Sequence, residues 1–415
     1  MERFVQRRLA LNDETSTGKL KVKTLLSLIE RHPYRDAIIN AFNLAELADE
    51  VIVIDHIDVL YKKVKRMNDN FERFEILAYN KDISIRESAN PIKDIKDQKP
   101  LIFSFNNYLH YGEEAQNLEA FAIYDSKNTF FDEYDMAKFA NRLYKDDLGI
   151  LADYNIKFFK DLADNNVAFK NYKSYRLVKN GEETFLRGIT SIDKYFEYGV
   201  DFSFVVSMLI LHRDMKDNGG NAYTISSAAI SESKMEIIVA EKALKDAGEF
   251  GNVSSAFIVT TNDLGTGSLN FTKIIKVGVQ TFNGLYLFPA NETASSNKLI
   301  ISHSTKCDKA LQKLDGVFAL LSNTEEFIQN LKDLKGISTP EELRQNILIK
   351  LTNPRSVFKE IGELKDIFKT AISNEIASFA KLLDMCEKAE ELDIDYDIKD
   401  KLRYLISDII LSGWK

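Results

Sequence analysis

Cysteine and proline are both scarce in this 415-residue chain, and each scarcity excludes something. Cys307 and Cys386 are the only cysteines, so at most one disulfide could form and no CxxC or Cys/His cluster supplies the four ligands of a structural zinc. Both read as free thiols of a reducing cytosol. No proline occurs between Pro100 and Pro289, as expected where long strand ladders need every backbone N–H. The longest apolar run, Phe202 to Leu211, covers about half of the roughly 20 residues that cross a bilayer. The opening Met-Glu-Arg-Phe-Val-Gln-Arg-Arg develops no secretory core. No membrane partner is expected, and the expected location is the cytoplasm.

A net positive charge is also lacking. The 55 Lys and Arg face 63 Asp and Glu, which gives −8 at neutral pH. A protein basic over its whole surface is excluded, since phosphate affinity comes from cations that displace counterions. The charge is uneven, however. Glu113–Asp164 holds 12 acids and 6 bases, Asp384–Asp400 eight acids and two bases, and Ser268–Lys313 six bases and two acids. A locally basic sheet between acidic helical regions remains open to nucleic acid.

Length and a 45% hydrophobic content suit a globular protein of two or three domains. The pattern predicts an α+β fold in three parts: a mixed, mostly helical N-terminal region (1–165), an antiparallel β-rich core domain (166–306) and a wholly helical C-terminal region (307–415). In the first part, helical periodicity runs through Leu25, Leu28 and Ile29 and again from Ile38 to Leu47, and strand-like runs cover Phe74–Tyr79, Leu101–Phe105 and Ala120–Tyr124. The polar stretch from Asn90 to Pro100 reads as a surface loop. In the middle part, Tyr175–Lys179, Asn180-Gly181 and Thr184–Arg187 make a hairpin signal, with Asn-Gly suited to a type I′ turn. Further strands are expected at Tyr223–Ile230, Met235–Ala240, Val253–Thr261, Ser268–Gln280 and Lys298–Thr305. Phe202–Leu211 fits a strand or a helix.

After Lys306 the pattern is helical. Thr339-Pro340-Glu-Glu342 is a capping box with proline at the first helical position, and Asn353-Pro354 is expected to open the next helix in the same way. That helix is predicted to run some 30 residues, with Val357, Ile361, Leu364, Phe368, Ile372, Ile376, Phe379, Leu383 and Cys386 as a stuttered seam. A stripe of this kind suits either a packed bundle helix or a homo-oligomer interface.

Catalytic signatures are few. Asn262-Asp-Leu-Gly265-Thr-Gly267-Ser268 has the glycines of a phosphate cradle but leads into a strand and has no Gly-Lys-Ser/Thr, so a hairpin loop is expected. Asp214 with Glu232 and Lys234 could be read as a nuclease acid/Glu-x-Lys set, yet Glu232 and Lys234 fall where an exposed turn is predicted. Asp55-His56-Ile-Asp58 lacks further metal ligands, the five histidines are scattered, and there is no Gly-x-Ser-x-Gly elbow. No cofactor, metal or catalytic residue is assigned, and an enzyme is not the leading expectation.

The most suggestive segment is Phe169 to Lys179. There Lys170, Lys173, Arg176 and Lys179 interleave with Phe169, Tyr172 and Tyr175, a pattern in which cations hold a phosphate backbone and rings stack on bases. With Arg187, Lys273 and Lys276 from neighbouring strands, the expected interface has Lys170, Lys173, Arg176, Lys179, Arg187, Lys273 and Lys276 on phosphates and Tyr172 and Tyr175 as stacking platforms. The alternative is that these rings fill a core while the cations reach past them to solvent.

Three stretches also resemble a phage- and plasmid-borne family, domain of unknown function 932. They are Tyr175-Arg176 through Leu186-Arg187, Ser191 and Tyr195; Asn262 to Leu269; and Asn283-Gly284-Leu285 followed by His303. Thr281-Phe282 stand where the family tends to carry Cys-Thr, so no role of that cysteine carries over. The resemblance covers roughly 167–306 and implies a mobile-element setting in the host-cell cytoplasm, with DNA replication, recombination or annealing as the associated process and host takeover or defence equally open. The leading expectation is a single-stranded DNA-binding or annealing protein. The alternative is a structural component that assembles through its C-terminal helices.

Overall fold

The computed structural model describes residues 4–12, 14–89, 91–92, 100–163, 172–217, 221–265, 267–278, 284–289, 297–321, 325–333, 338–369 and 375–412. Its strands are β1 (Arg7–Arg8), β2 (Lys19–Lys21), β3 (Val51–Val53), β4 (Glu72–Tyr79), β5 (Ile83–Glu87), β6 (Leu101–His110), β7 (Glu113–Ala122), β8 (Tyr172–Asn180), β9 (Glu183–Thr190), β10 (Tyr223–Ile230), β11 (Lys234–Glu241), β12 (Lys245–Asp246), β13 (Asn252–Asn262), β14 (Ser268–Val277), β15 (Leu285–Leu287) and β16 (Lys298–Ser302). The helices of the first half are α1 (Val22–Leu26), α2 (Arg35–Ala41), α3 (Leu44–Leu47), α4 (Ile57–Asn70), α5 (Ser126–Asp132), α6 (Ala137–Lys145), α7 (Gly149–Ala163) and α8 (Gly199–Asp217). After the last strand come α9 (Cys307–Lys313), α10 (Gly316–Leu321), α11 (Glu325–Asp333), α12 (Pro340–Thr352), α13 (Gly362–Phe368), α14 (Phe379–Glu391) and α15 (Tyr396–Ser412). The fold is α+β, with mostly antiparallel sheets.

Two sheets organise it. The larger runs β1-β10-β11-β13-β14, with β15 and β16 both on the far edge of β14 and β12 beside the start of β13. Its strands are buried at nearly every position, polar residues included, because both faces are covered. Phe257, Val259, Leu269 and Phe271 meet α8 and the N-terminal helices, while Ile238, Ala256, Ile258 and Ile274 face the other way, toward Tyr286, Phe288 and Tyr404. The smaller, six-stranded sheet follows the order β4-β8-β9-β7-β6-β5, and five of its strands close into a barrel where β4 meets β6 at Leu77 and Leu109. The β7–β9 pair is parallel and the rest antiparallel. Phe103, Phe105, Tyr175, Leu177 and Leu186 fill this barrel against Phe130 and Phe131 of α5.

The barrel crosses the expected domain boundary. β8 and β9, assigned from sequence to the middle domain, pair with β4 and β7, so residue 165 divides one closed sheet rather than two cores. At the other extreme, β1 joins the larger sheet through Arg7 and Arg8 opposite Ile230 and Ala229.

Phe202–Leu211 is helical, inside the 19-residue α8. It is buried on all sides, which explains the lack of amphipathic period. Ser203 and Ser207 hide their hydroxyls by donating to the carbonyls of Gly199 and Ser203 one turn back. The hairpin at Asn180-Gly181 is present, but the two-residue loop is Gly181-Glu182, with positive φ at Gly181 alone, as in a II′ turn.

The Thr339 capping box forms as expected, with Glu342 N–H donating to Thr339 Oγ1 at 3.3 Å and Thr339 N–H to Glu342 Oε2 at 2.8 Å. The long helix after Asn353 does not form. Turns follow Pro354, and the stripe is split between α13 and α14. Leu364, Phe368, Ile376, Phe379 and Cys386 pack within this chain against Leu285 and Leu287 of the larger sheet, which accounts for the stutter without a partner. Ile372 lies outside the described residues, as do Asn90 and 93–99 of the predicted loop. Among the described residues, no helix is long and apolar enough to cross a membrane.

Candidate nucleic-acid interface

The nine residues expected at the interface do not share a surface. Lys170 lies outside the described residues. Tyr172 opens β8 opposite Tyr79, the last residue of β4, and the two rings lie 4.4 Å apart between centroids. Tyr79 is 43% exposed, and the Lys81 ammonium sits 5.7 Å from its ring centre. Lys173 is half-buried beside Glu133, at 3.1 Å. Lys179 is exposed at the far end of the same strand, where it lines a shallow pocket with Arg31, Glu72 and Gly181.

The other five are buried. Tyr175 points into the barrel, where its hydroxyl donates to Asn80, so it cannot stack on a base. Arg176 and Arg187, at 4% and 1% exposure, both donate to Glu197. Lys273 and Lys276 lie under the cover on β14, and burial pushes the Lys276 ammonium down to about 8. Phosphate contacts at Arg176, Arg187, Lys273 and Lys276 are therefore corrected. Their strands are covered on both sides, so period-two alternation does not bring any of these side chains to solvent.

What the arginines build instead is an ionic junction between barrel and larger sheet. Glu197 Oε2 accepts from Arg176 at 2.5 Å and Oε1 from Arg187. Burial by itself would raise the Glu197 carboxyl, but the charges of Arg187 and Arg176 outweigh it and hold the group below the usual glutamate range. The Arg176 guanidinium lies 4.2 Å from the centre of the Tyr195 ring, and His303 stacks on the same tyrosine at 4.6 Å. His303 in turn bonds the carbonyls of Phe196 (2.8 Å) and Asn262 (3.0 Å), and its Nε2 lies 3.4 Å from Asp263 Oδ1. Arg176, Arg187, Tyr195, Asn262, Asp263 and His303, which carried the family resemblance from three separate stretches, thus meet at one place.

The glycine-bearing loop closes this junction. It is the β13–β14 hairpin, with Gly265 at φ +92°. At Gly267 a Cβ would stand 2.4 Å from the Asn262 carbonyl oxygen, closer than real contacts permit. Asp263 behind it is fully buried, and burial raises its carboxyl against the opposing charge of His303.

Glu232 corrects another expectation. It is buried rather than exposed, accepting from Tyr124 Oη at 2.8 Å and Ser233 Oγ at 2.9 Å, while Lys234 pairs with Asp397 at 3.2 Å. Asp214 binds Tyr223 (2.6 Å) and Asn221 (3.0 Å) near the end of α8. Asp214 thus bonds to Tyr223 and Asn221, Glu232 to Tyr124 and Ser233, and Lys234 to Asp397, three different surroundings rather than one nuclease site. Among the described residues, no group of three or more His, Cys, Asp or Glu could hold a metal ion.

A cavity of about 750 Å³ opens onto the junction between β4, α4 and the start of α8, lined by Arg31, Lys65, Arg73, Glu75, Arg176 and Asp201 among others. On its floor Arg73 donates to Asn68 (2.8 Å), Asp201 (3.4 Å) and the Glu232 carbonyl (3.3 Å). Acids and bases alternate here, so the cavity has no single sign. Sequence reasoning missed Glu197, Arg73 and Tyr79. Glu197 had a faint signal, an acid set among the aromatics of Tyr195-Phe-Glu-Tyr198. No family model, no curated protein and no solved structure matches this chain.

Proposed function

We propose that this protein binds single-stranded nucleic acid on the outside of its five-stranded barrel. The observation that carries the proposal is the strand order. Strands β4, β6, β7, β8 and β9 close in the sequence first-second-third-fifth-fourth, with the third and fifth parallel and helices α5 to α7 inserted between the third and fourth. A five-stranded Greek-key barrel is the architecture of the OB-fold, in which the face of the second and third strands, here β6 and β7, and the flanking loops take oligonucleotides.

Charge selects which part of the barrel is used. The outer side of β6 and β7 is occupied by its own polar bonds, Arg86 to Glu119 at 2.9 Å and Ser104 to Glu119 at 3.1 Å, beside the exposed Glu113 and Glu114. Phosphates are repelled there. The Tyr79–Tyr172 pair, with the Lys81 ammonium over the Tyr79 ring, offers ring faces and a cation together, and Lys179 is exposed at the far end of β8. Annealing in the replication or recombination of a mobile element is the process this chemistry would serve, in keeping with the family resemblance.

The test is binding of a labelled oligonucleotide to the full chain across a salt series. Affinity that falls log-linearly with salt, and falls again in Tyr79→Ala/Tyr172→Ala, is expected. Absence of binding at low salt would refute the proposal.

A further inference from the structure

The turn between β6 and β7 holds an aromatic ring in a strained position. His110 pairs with Glu113, which leaves Tyr111-Gly112 as a two-residue loop with φ of +50° and +83°. Asn and Gly are the usual residues of such an I′ turn, since a bulky side chain is disfavoured at positive φ. Strain of this kind gathers where a ligand is held. Tyr111 is 87% exposed, its ring lies 4.4 Å from that of His110, and His110 lies 5.3 Å from Phe74. Tyr111 and Phe74 both line the cavity of about 750 Å³ that opens onto the junction.

We propose, resting on the reading of the barrel as a single-strand binder, that this cavity takes one unstacked base of the bound strand, with Tyr111 against its face and Glu75 and Arg176 at its edge. The outer side of β4 leads there. Ile76 and Ala78 belong to the barrel core, so the alternate residues Tyr79, Leu77, Glu75 and Arg73 face outward. In the register with β8, Tyr172 stands opposite Tyr79 and Arg176 opposite Glu75. The stacked tyrosines and the cavity thus share one face, about 13 Å apart over four residues of strand.

A phosphate does not suit the cavity. Three of the four Lys and Arg that line it are already paired, Lys65 with Asp69 at 3.3 Å, Arg73 with Asp201 at 3.4 Å and Arg176 with Glu197 at 2.5 Å. An uncharged heterocycle does suit it. Glu75 is exposed and lies 3.7 Å from Arg176, so an accepting carboxylate stands beside a donating guanidinium. Each base likewise presents donors and acceptors side by side along its edge, and a base taken out of the stack is read there while an aromatic ring covers its face.

Binding of a short labelled oligonucleotide to the full chain tests it, with the strand intact and with a single abasic site walked along it. One abasic position should weaken binding about tenfold, the loss of one stacked base. Tyr111→Gly removes the ring and relieves the turn, so its thermal unfolding should be no earlier than that of the parent. It should weaken the intact strand about tenfold as well and make that abasic position silent, because both changes remove the same contact. The position it silences should differ from those silenced by Tyr79→Ala/Tyr172→Ala. Full-strength binding by Tyr111→Gly, or abasic effects that all persist in it, would overturn the pocket, and a loss in Tyr79→Ala/Tyr172→Ala would then leave the barrel face standing. Absence of binding by the wild type at low salt would overturn both.

Discussion

Glu197 and Arg187 form a buried ion pair that joins the barrel to the larger sheet, the arginine projecting from β9 and the carboxylate from the segment that enters α8. Arg176 shares the same carboxylate from β8, so one acid neutralises two guanidiniums. Removing it leaves Arg187 without its ion-pair partner and Arg176 with only Glu75, at 3.7 Å.

Glu197→Ala is therefore expected to lower the unfolding free energy by roughly 3–5 kcal/mol, the usual cost of stranding a buried charge. The folded-state carboxyl is held below its ordinary value. Its contribution is thus present above the unfolded glutamate pKa of about 4.3 and is lost as pH falls from there toward the folded value. Urea titrations of wild type and Glu197→Gln should show the variant's deficit shrinking as the pH drops below about 4. A pH-independent deficit would contradict the pairing.

Arg403 organises a second buried cluster, with Glu236 of β11 at 2.8 Å and Glu390 of α14 at 2.6 Å, and it fastens the C-terminal helices to the sheet. Burial pushes the Glu236 carboxyl up to about 7, although Arg403 opposes it. A raised acid stabilises the fold below its unfolded pKa, and that contribution fades as pH rises through the folded value. Glu236→Gln, which cannot ionise, should gain stability relative to wild type between about pH 4.3 and about pH 7. Thermal melts at both ends of this range provide the measurement.

Gly267→Ala should destabilise the hairpin by roughly 1–3 kcal/mol, since its new methyl group would collide with the Asn262 backbone oxygen. The displaced Asn262 carbonyl also accepts from His303, so the His303 ring resonances should shift in the same variant. Unchanged stability and an unchanged spectrum would show that the loop yields without cost.

Tyr79→Ala and Tyr172→Ala should each weaken oligonucleotide binding by roughly 1–3 kcal/mol, the range for a stacked base. Lys273→Ala and Lys276→Ala should leave the salt slope unchanged, because neither ammonium reaches the surface. A slope reduced by the β14 lysines would reverse the assignment of the interface.

Much of the local architecture was legible from residue order. The strand expected at Ser268–Gln280 is β14, and Thr339-Pro340-Glu-Glu342 marked the start of α12. That the Asn262–Leu269 loop, His303 and Tyr195 meet was not legible, since nothing in their spacing predicts a contact such as that of Tyr195 with His303, more than 100 residues apart. The cationic track on β8 misled because a strand pattern records which side a residue faces, not what covers that side. Arg176 and Lys179 look alike in sequence, yet Glu197 claims the first and solvent keeps the second.

The sequence by itself determined the element types over most of the chain, the α+β class, the scarcity of thiols and the uneven distribution of charge, because these follow from periodicity, turn chemistry and composition. Tertiary structure alone decided that β8 and β9 complete a barrel begun by β4, that Phe202–Leu211 is a buried helix, and that four of the seven expected phosphate contacts are interior ion-pairing or buried cations. The reason is that burial is a property of pairs of surfaces. A lysine or arginine on a half-apolar strand is compatible with either solvent or a buried carboxylate, and the choice is made only when a second element, such as the segment bearing Glu197, closes over it.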